Sequence, residues 1–248
     1  MHRLRRRLTT DAVNAFPKRP GANYVPLTPL AFIDRARRVF ADGPAVVDGD
    51  IQRTWAQLYD RCAQLGDALR THHGCGRGSV VQCMLDNTAE MVEAQQGVAM
   101  AGATLGSVNT RLDAATVAYV IEHSDARLFI ADARYEDTCR EALATLEQSP
   151  PFVVVGGRAD GYEALLASGR SAAPWIQPED EWDALALNYT SGTTGRPKGV
   201  VVHHRGAYVQ ALSNTIDFGG LPADGATRYL WTLPMFHCGG RRPFSAMA

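Results

Sequence analysis

Five short apolar runs, separated by amphipathic stretches, constrain the fold of this chain more than any other feature of its sequence. The runs are SVVQCML (79–85), ATLGSVN (103–109), ARLFIAD (126–132), PFVVVGG (151–157) and ALALNYT (184–190). Short, nearly continuous apolar runs are typical of strands that are buried on both faces. Because the runs alternate with helical patterns, we predict an α/β fold with largely parallel sheets flanked by helices, and with SVVQCML as a central strand.

The stretches between the runs carry the signals of helices. Residues 28–40, 88–101 and 113–123 are predicted to be helical, the last beginning at Asp113. A further helix is predicted to follow Thr54, which has the capping-box spacing with Gln57, and to end at Gly74.

Two other segments carry turn and loop signals. The segment GPAVVDGDIQRTW (43–55) predicts a β-hairpin with its turn at Asp48-Gly49. Residues 158–183 contain Pro174 and Pro178 and are interpreted as loop-rich.

The composition disfavours several classes of function. The 248 residues carry a net charge of −1, so no global field attracts nucleic acid or an anionic membrane. No apolar run reaches the roughly eighteen residues that a membrane span needs. The five cysteines show no paired CxxC spacing, which favours buried free thiols in a reducing cytosol over disulfides or zinc. These features predict a cytoplasmic protein with no transmembrane segment, no nucleic-acid partner and no metal site of its own.

The amino terminus differs from the rest of the chain in its charge. The segment MHRLRRRLTTDAVNAF has five basic residues before its first acid, Asp11. We interpret residues 1–21 as a flexible terminal segment, and a transit peptide, which has a similar composition, stays an alternative.

The segment YTSGTTGRPKGV (189–200) combines groups that bind phosphate. Its three glycines can bring successive backbone amides towards an anion, and its hydroxyl side chains are further donors. Arg196 and Lys198 can neutralise charge that builds up on a phosphoryl group. A Walker A loop has Gly-Lys-Ser/Thr opening a helix, whereas here Pro197 precedes the lysine and three valines follow Gly199. We therefore predict a triphosphate-binding loop that joins two strands.

At these residues the chain resembles a known family. YTSGTTGRPKG looks like the signature loop of the adenylate-forming (AMP-binding) superfamily, and LPMFHC (233–238) resembles its next motif. ANYVPLTPLAFIDRA, TWAQL and GATLGSVNTRLDAATVAYVIEHSDARLFIAD are similar to the amino-terminal region of medium- and long-chain fatty acyl-CoA synthetases. The resemblance covers residues 22–238, which predicts a partial adenylation domain followed by a divergent tail, 239–248.

The resemblance implies a two-step ligase reaction. In the reaction that the resemblance implies, a carboxylic acid of the fatty-acid class is activated by ATP with Mg²⁺ to an acyl-adenylate, and coenzyme A then displaces AMP. It also implies that the triphosphate is held by Thr190, Ser191, Gly192, Thr193, Thr194, Gly195 and Lys198.

The histidines are given different interpretations. The resemblance implies that His237 lies near the acyl group and AMP, with a surface histidine as the alternative, and that Lys198 and His237 are the catalytic residues. His203 and His204 are interpreted as capping and packing residues.

The motifs that the family carries later in its chain are not found in this sequence. Tyr-Gly-x-Thr-Glu, whose glutamate assists Mg²⁺ binding, and Thr-Gly-Asp, whose aspartate binds ribose, are both missing. The leading interpretation is therefore the amino-terminal portion of an AMP-forming acyl-CoA synthetase that is inactive alone. One alternative is a catalytically inactive fragment that acts at most as a nucleotide-binding or interaction module. An unrelated NTPase is disfavoured, because no Walker B aspartate run follows a strand.

Overall fold

The computed structural model describes residues 24–157, 161–190, 196–217 and 228–237. The helices are α1 (Leu30–Val39), α2 (Trp55–His73), α3 (Ala89–Met100), α4 (Ala114–His123), α5 (Glu136–Ala144), α6 (Tyr162–Ala167) and α7 (His204–Asp217). The strands are β1 (Pro44–Asp48), β2 (Ile51–Thr54), β3 (Val80–Met84), β4 (Thr104–Ser107), β5 (Ala126–Asp132), β6 (Phe152–Val155), β7 (Ala184–Thr190) and β8 (Lys198–His203). The predicted flexible segment 1–21 and the tail 239–248 lie outside the described residues.

A six-stranded sheet in the order β6-β5-β3-β4-β7-β8 forms the centre of the fold. The strands from β6 to β7 pair in parallel, and β8 pairs antiparallel with β7 at the edge. β3 is an inner strand, with Val81 and Cys83 fully buried. The largely parallel α/β prediction and the central position of SVVQCML are both confirmed.

Helices cover both faces of this sheet, as the rule for right-handed crossovers requires. The connections through α4 and α5 move along the sheet in one direction, and those through α3 and α6 move in the other. Right-handed connections that move in opposite directions lie on opposite faces. One core accordingly joins α2, α3 and α6 to Leu128 and Ile130, and a second joins α4 and α5 to Phe129 and Ala131.

The predicted helix ends are confirmed by their capping contacts. The Gln57 backbone amide donates to the Thr54 hydroxyl at 3.3 Å, and the Gln57 side chain accepts from the Thr54 amide at 2.9 Å. Gly74 ends α2 in the left-handed conformation, with φ of +61°, which glycine adopts without strain. Asp113 caps α4 by accepting from the Thr116 amide at 2.8 Å.

One local prediction was wrong, and one was incomplete. The hairpin turns at Gly49 and Asp50, one residue later than predicted, because Asp48 stays in register opposite Ile51 and its carboxylate accepts from the Ala89 amide at 3.0 Å. The stretch interpreted as loop also contains the short helix α6. Its signal in the sequence was the helical spacing of Tyr162, Leu165 and Leu166, all of which are buried.

A buried carboxylate explains why α6 packs where it does. Glu93 in α3 is fully buried and accepts hydrogen bonds from Arg61 of α2, at 3.0 Å, and from the Tyr162 hydroxyl, at 3.1 Å. Arg61 also donates to Glu163 at 3.0 Å. Burial raises the pKa of Glu93, while the guanidinium of Arg61 opposes that rise. Because a buried charge needs partners, this network joins α2, α3 and α6.

The cysteines that the structure describes are free and buried, as predicted. They are Cys62, Cys75, Cys83 and Cys139. Burial raises the pKa of the Cys83 thiol, which keeps it in the unreactive protonated form.

The two histidines after β8 cap and pack, as predicted. The His203 Nδ1 atom accepts from the Gly206 amide at 2.9 Å in the first turn of α7, and its ring lies 4.4 Å from that of Trp182. His204 is buried, with its Nδ1 atom 2.9 Å from the Thr28 hydroxyl oxygen. Burial lowers the pKa of His204 to about 4, against a smaller opposing effect of Asp183.

We expect His204 to make the stability of this chain fall as the solution is acidified. The unfolded histidine takes up a proton below about pH 6.5 and the folded one only near pH 4, so the stabilisation is complete above about pH 6.5 and is lost between these values. The loss in unfolding free energy is on the order of 3 kcal/mol. Urea unfolding at pH 7.5, 6.0 and 5.0 measures it.

Two variants distinguish the titration of His204 from its contribution to packing. His204→Asn keeps a hydrogen-bonding side chain that does not titrate, so its stability curve is expected to be flatter over this range. Thr28→Val removes the partner and keeps the buried imidazole, so it lowers stability and retains the slope. Equal slopes for wild type and His204→Asn would contradict the assignment.

Candidate functional site

The segment that is predicted to bind phosphate, residues 189–200, connects and includes the ends of β7 and β8. β7 ends at Thr190 and β8 begins at Lys198, and these two residues face each other in the antiparallel register. The prediction that the loop joins two strands is confirmed. The central loop residues Ser191, Gly192, Thr193, Thr194 and Gly195 lie outside the described residues.

The local sequence explains this hairpin. In β7, Leu185 and Ala186 are buried against the first core, while β8 supplies β-branched valines that favour a strand. Gly199 lies opposite Tyr189, and a Cβ atom there would come within 2.9 Å of the Leu187 side chain and 3.6 Å of the Tyr189 ring. Glycine at this position therefore allows the two strands to approach at the base of the loop.

The two cations of the loop differ in their surroundings. Lys198 is exposed, and among the described residues its ammonium has no carboxylate partner in an ion pair. Arg196 is also exposed, but its guanidinium lies 5.4 Å from the centre of the Tyr119 ring, within cation–π range. Lys198 is therefore the cation that is available to an anion.

Helix α4 contacts both ends of the loop. The Tyr119 hydroxyl donates to the Pro197 carbonyl oxygen at 3.2 Å, and the His123 Nδ1 atom lies 2.8 Å from the Tyr189 hydroxyl oxygen. Burial raises the pKa of the Tyr189 phenol, so it is protonated at neutral pH. Our sequence reasoning missed Tyr119 and His123. Their only signal was an aromatic pair at i and i+4 on one face of an amphipathic helix.

The side chain of Asn87, in the loop that follows β3, holds a second segment, residues 228–237, beside the sheet. The Asn87 side-chain amide donates to the Leu233 carbonyl at 2.9 Å and accepts from the Met235 amide at 2.7 Å. Met235 is buried, and His237, two residues further on, is exposed, with its backbone amide donating to Pro234 at 3.1 Å. Asn87 was also missed, although a polar residue three positions after the end of a central parallel strand was the available signal.

Both segments lie at the carboxyl edge of the parallel sheet. Met235, Asn188 and Ser107 line a small cavity of about 20 Å³ where β4 and β7 end. Ligands of open α/β sheets bind at this edge. The structure thus brings the segment of His237 to the strand that leads into Thr190.

The acidic groups at this edge are neutralised. Asp86 follows β3 and Asp132 ends β5, and Arg134 pairs with both, at 2.7 Å and 2.8 Å. Asp86 also accepts from the Tyr135 hydroxyl at 2.8 Å. Hydrogen bonds from Arg134 hold the pKa of Asp132 below its usual range. At this edge these carboxylates are therefore compensated, and among the described residues the ammonium of Lys198 has no carboxylate in an ion pair, which is a suitable arrangement for an anion.

Comparisons with known proteins agree on one family. The family model described as AMP-binding enzyme matches residues 33–248. The peroxisomal acetate/butyrate–CoA ligase AAE7 of Arabidopsis thaliana is 43% identical over 249 residues, which cover 92% of this chain and 43% of that protein. Acetate–CoA ligase CCL3 of Humulus lupulus is 41% identical, with the same coverage of 92% and 43%.

A solved structure supports the same assignment. The inhibitor-bound N-terminal domain of FACL13 from Mycobacterium tuberculosis superposes with a TM-score of 0.75 at 26% identity, covering 89% of this chain and 55% of that one. The fold is that of the amino-terminal domain of adenylate-forming enzymes. The chain belongs to the AMP-binding enzyme family, as its signature loop predicted, and it spans less than half the length of the curated relatives that it matches.

The sequence predicts no transmembrane segment. Within the described ranges, no helix has both the length and the apolar character needed to cross a bilayer.

Proposed function

We propose that this chain is the triphosphate-binding, amino-terminal part of an AMP-forming carboxylic acid–CoA ligase. The observation that carries the proposal is the β7–β8 hairpin, which presents Thr190 and Lys198 together at the carboxyl edge of the sheet. The match of the chain to acyl-CoA ligases supports the proposal that the reaction joins a carboxylic acid to coenzyme A. In this proposal residues 22–238 form the partial adenylation domain.

The loop is proposed to bind the β- and γ-phosphates through its backbone amides and hydroxyls. Lys198 neutralises the charge that grows on the phosphates as the bond to the α-phosphate breaks. The proposed binding residues are Thr190, Ser191, Gly192, Thr193, Thr194, Gly195 and Lys198. His237, held near this edge through Asn87, is proposed to lie beside the acyl group and the α-phosphate.

The proposed reaction has two balanced steps. A carboxylate oxygen of the acid attacks the α-phosphorus of ATP, the bond to the bridging oxygen breaks, and pyrophosphate leaves with that electron pair. The thiol of coenzyme A then gives its proton to solvent and its sulfur attacks the acyl carbonyl carbon. The bond between that carbon and the phosphate oxygen breaks, and AMP leaves with the electron pair.

Magnesium is proposed to enter with the nucleotide. Among the described residues no group of three His, Cys, Asp or Glu side chains could hold a metal ion. We therefore treat Mg²⁺ as part of the substrate, MgATP, and assign it no protein ligand in this chain.

The acid is proposed to be a short aliphatic carboxylate, at the small end of the fatty-acid class. The relatives at 43% and 41% identity are described as acetate/butyrate–CoA and acetate–CoA ligases. A cytoplasmic location stays a prediction, because the first of these relatives is described as peroxisomal.

The test is a comparison of nucleotides on the 248-residue chain. Because the loop is proposed to hold the β- and γ-phosphates, we expect MgATP to bind at least about 10-fold more tightly than AMP, the equivalent of about 1.4 kcal/mol. Calorimetric titration measures both affinities, and Lys198→Met is the matched control, expected to lose the preference for ATP. Equal affinities of the wild-type chain for ATP and AMP would overturn the assignment.

A further inference from the structure

We propose that helix α4 is a clamp that fixes the phosphate loop, with Tyr119 and His123 as its positioning residues. The importance of the clamp for nucleotide binding rests on the function proposed above. The clamp itself is a property of the chain without ligand, and it can be tested separately.

The downstream end of the loop is held by a single side chain of α4. The Tyr119 hydroxyl donates to the Pro197 carbonyl at 3.2 Å, and the ring of the same residue lies 5.4 Å from the Arg196 guanidinium. One tyrosine thus fixes two consecutive residues directly before Lys198.

The upstream end is held one helical turn away. His123 lies four residues after Tyr119, and their ring centres are 5.2 Å apart. The His123 Nδ1 atom is 2.8 Å from the Tyr189 hydroxyl oxygen, and the two rings meet edge to face at 5.7 Å. Tyr189 immediately precedes Thr190, so α4 holds both ends of the segment that is proposed to bind phosphate.

The helix is itself rigidly placed. Val117, Val120 and Ile121 are almost fully buried in the second core, against which Tyr119 also packs, and Asp113 caps the first turn of the helix. The contacts of Tyr119 and His123 therefore tie the hairpin tip to the body of the domain.

The clamp has an energetic reason. Any segment that a ligand orders loses conformational freedom, glycine more than other residues, and that loss opposes binding. Fixing both ends before the ligand arrives lowers this loss. In the clamp, Arg196 also contacts the aromatic ring of Tyr119. Arg196 therefore helps to hold the loop in place, and Lys198 is left to neutralise the charge of the phosphates.

The first measurement needs no ligand. Hydrogen exchange of peptides covering residues 188–200 is compared in wild type, Tyr119→Phe and Tyr119→Leu. Phe keeps the ring beneath Arg196 and loses the hydrogen bond, whereas Leu loses both. We expect exchange at the loop ends to rise about 3–10-fold in the Phe variant, as the loss of one hydrogen bond implies, and further in the Leu variant. Exchange in β3 and α3 is expected to stay as in wild type.

A matched control removes a different phenol at the same edge of the sheet. Tyr135→Phe loses the hydrogen bond to Asp86, which does not involve α4 or the loop, so exchange at 188–200 is expected not to change. Loop exchange in Tyr119→Leu that equals wild type would overturn the clamp. So would an equal rise in Tyr135→Phe.

The second measurement separates positioning from general stability. Tyr119→Phe is expected to weaken MgATP binding about 3–10-fold while leaving AMP binding and the unfolding midpoint unchanged. Weakening of both nucleotides to the same degree would contradict a role specific to the loop. If wild type shows no preference for ATP, the proposed function fails, and the ligand-free exchange still decides whether the clamp exists.

Discussion

Replacing Lys198 by alanine is expected to slow adenylate formation by on the order of 10–1000-fold in a chain that has the remainder of the ligase. Such a chain can be made by joining this sequence to the following portion of the acetate/butyrate–CoA ligase relative. The physical reason is that charge grows on the departing pyrophosphate. In the described part of the chain, the Lys198 ammonium is exposed, opposite Thr190, and has no carboxylate in an ion pair with it. Release of pyrophosphate in the absence of coenzyme A measures the first step alone.

The Arg196→Ala variant is the internal comparison. Arg196 lies over the Tyr119 ring, so its loss is expected to loosen the loop and to have a smaller effect than loss of Lys198. Lys198→Arg keeps the positive charge on a side chain of different shape, and we expect it to form the adenylate faster than Lys198→Ala and more slowly than wild type. Negligible and equal effects of Lys198→Ala and Arg196→Ala would refute the assignment of the loop to phosphate. If Lys198→Ala raised KM and left kcat unchanged, the lysine would bind the ground state and the transition state equally and would not accelerate the chemical step.

The elements that were predicted correctly have local signals in the sequence. SVVQCML becomes β3 because a strand that is buried on both faces favours a nearly continuous apolar run. Thr54, Gln57 and Gly74 define the ends of α2 through contacts within a few residues of each other. The link between β7 and β8 followed from Pro197 and the valines after it, since neither favours a helix start at the lysine.

The elements that were missed depend on contacts between distant parts of the chain. Asn87 bonds to Met235 across 148 positions, and Tyr119 bonds to Pro197 across 78. A periodic pattern reports that a residue is buried or exposed, and it contains no information about which partner lies opposite. Helix α6 has only six residues, so the helical spacing of its buried residues is a weak local signal, and the position of the helix depends on the distant contact of Tyr162 with Glu93.

The 248-residue chain alone is expected to form no measurable acyl-CoA from acetate, butyrate or longer fatty acids. Adenylation needs the metal, the ribose and both reacting oxygens held together, and such positioning accounts for roughly 7–11 kcal/mol of a barrier. This chain covers 43% of the length of its first ligase relatives, and the ribose- and metal-binding motifs of the family are not found in its sequence. Binding of MgATP without turnover is the expected outcome.

A negative assay is informative only for folded, monomeric protein, and the exposed surface of the hairpin bears on that condition. β8 is the edge strand, with Val201 60% exposed, and Ile216 of the adjoining α7 is 76% exposed. An apolar edge strand favours pairing between copies. Val201→Lys together with Ile216→Lys is expected to suppress self-association, measured by sedimentation, without touching Lys198 or its contacts. Acyl-CoA produced by this monomeric variant above the level of its Lys198→Ala counterpart would show that the amino-terminal part is sufficient for catalysis. MgATP binding with no product would instead show that the phosphate loop works as a binding element and that the reacting groups are positioned by the rest of the ligase.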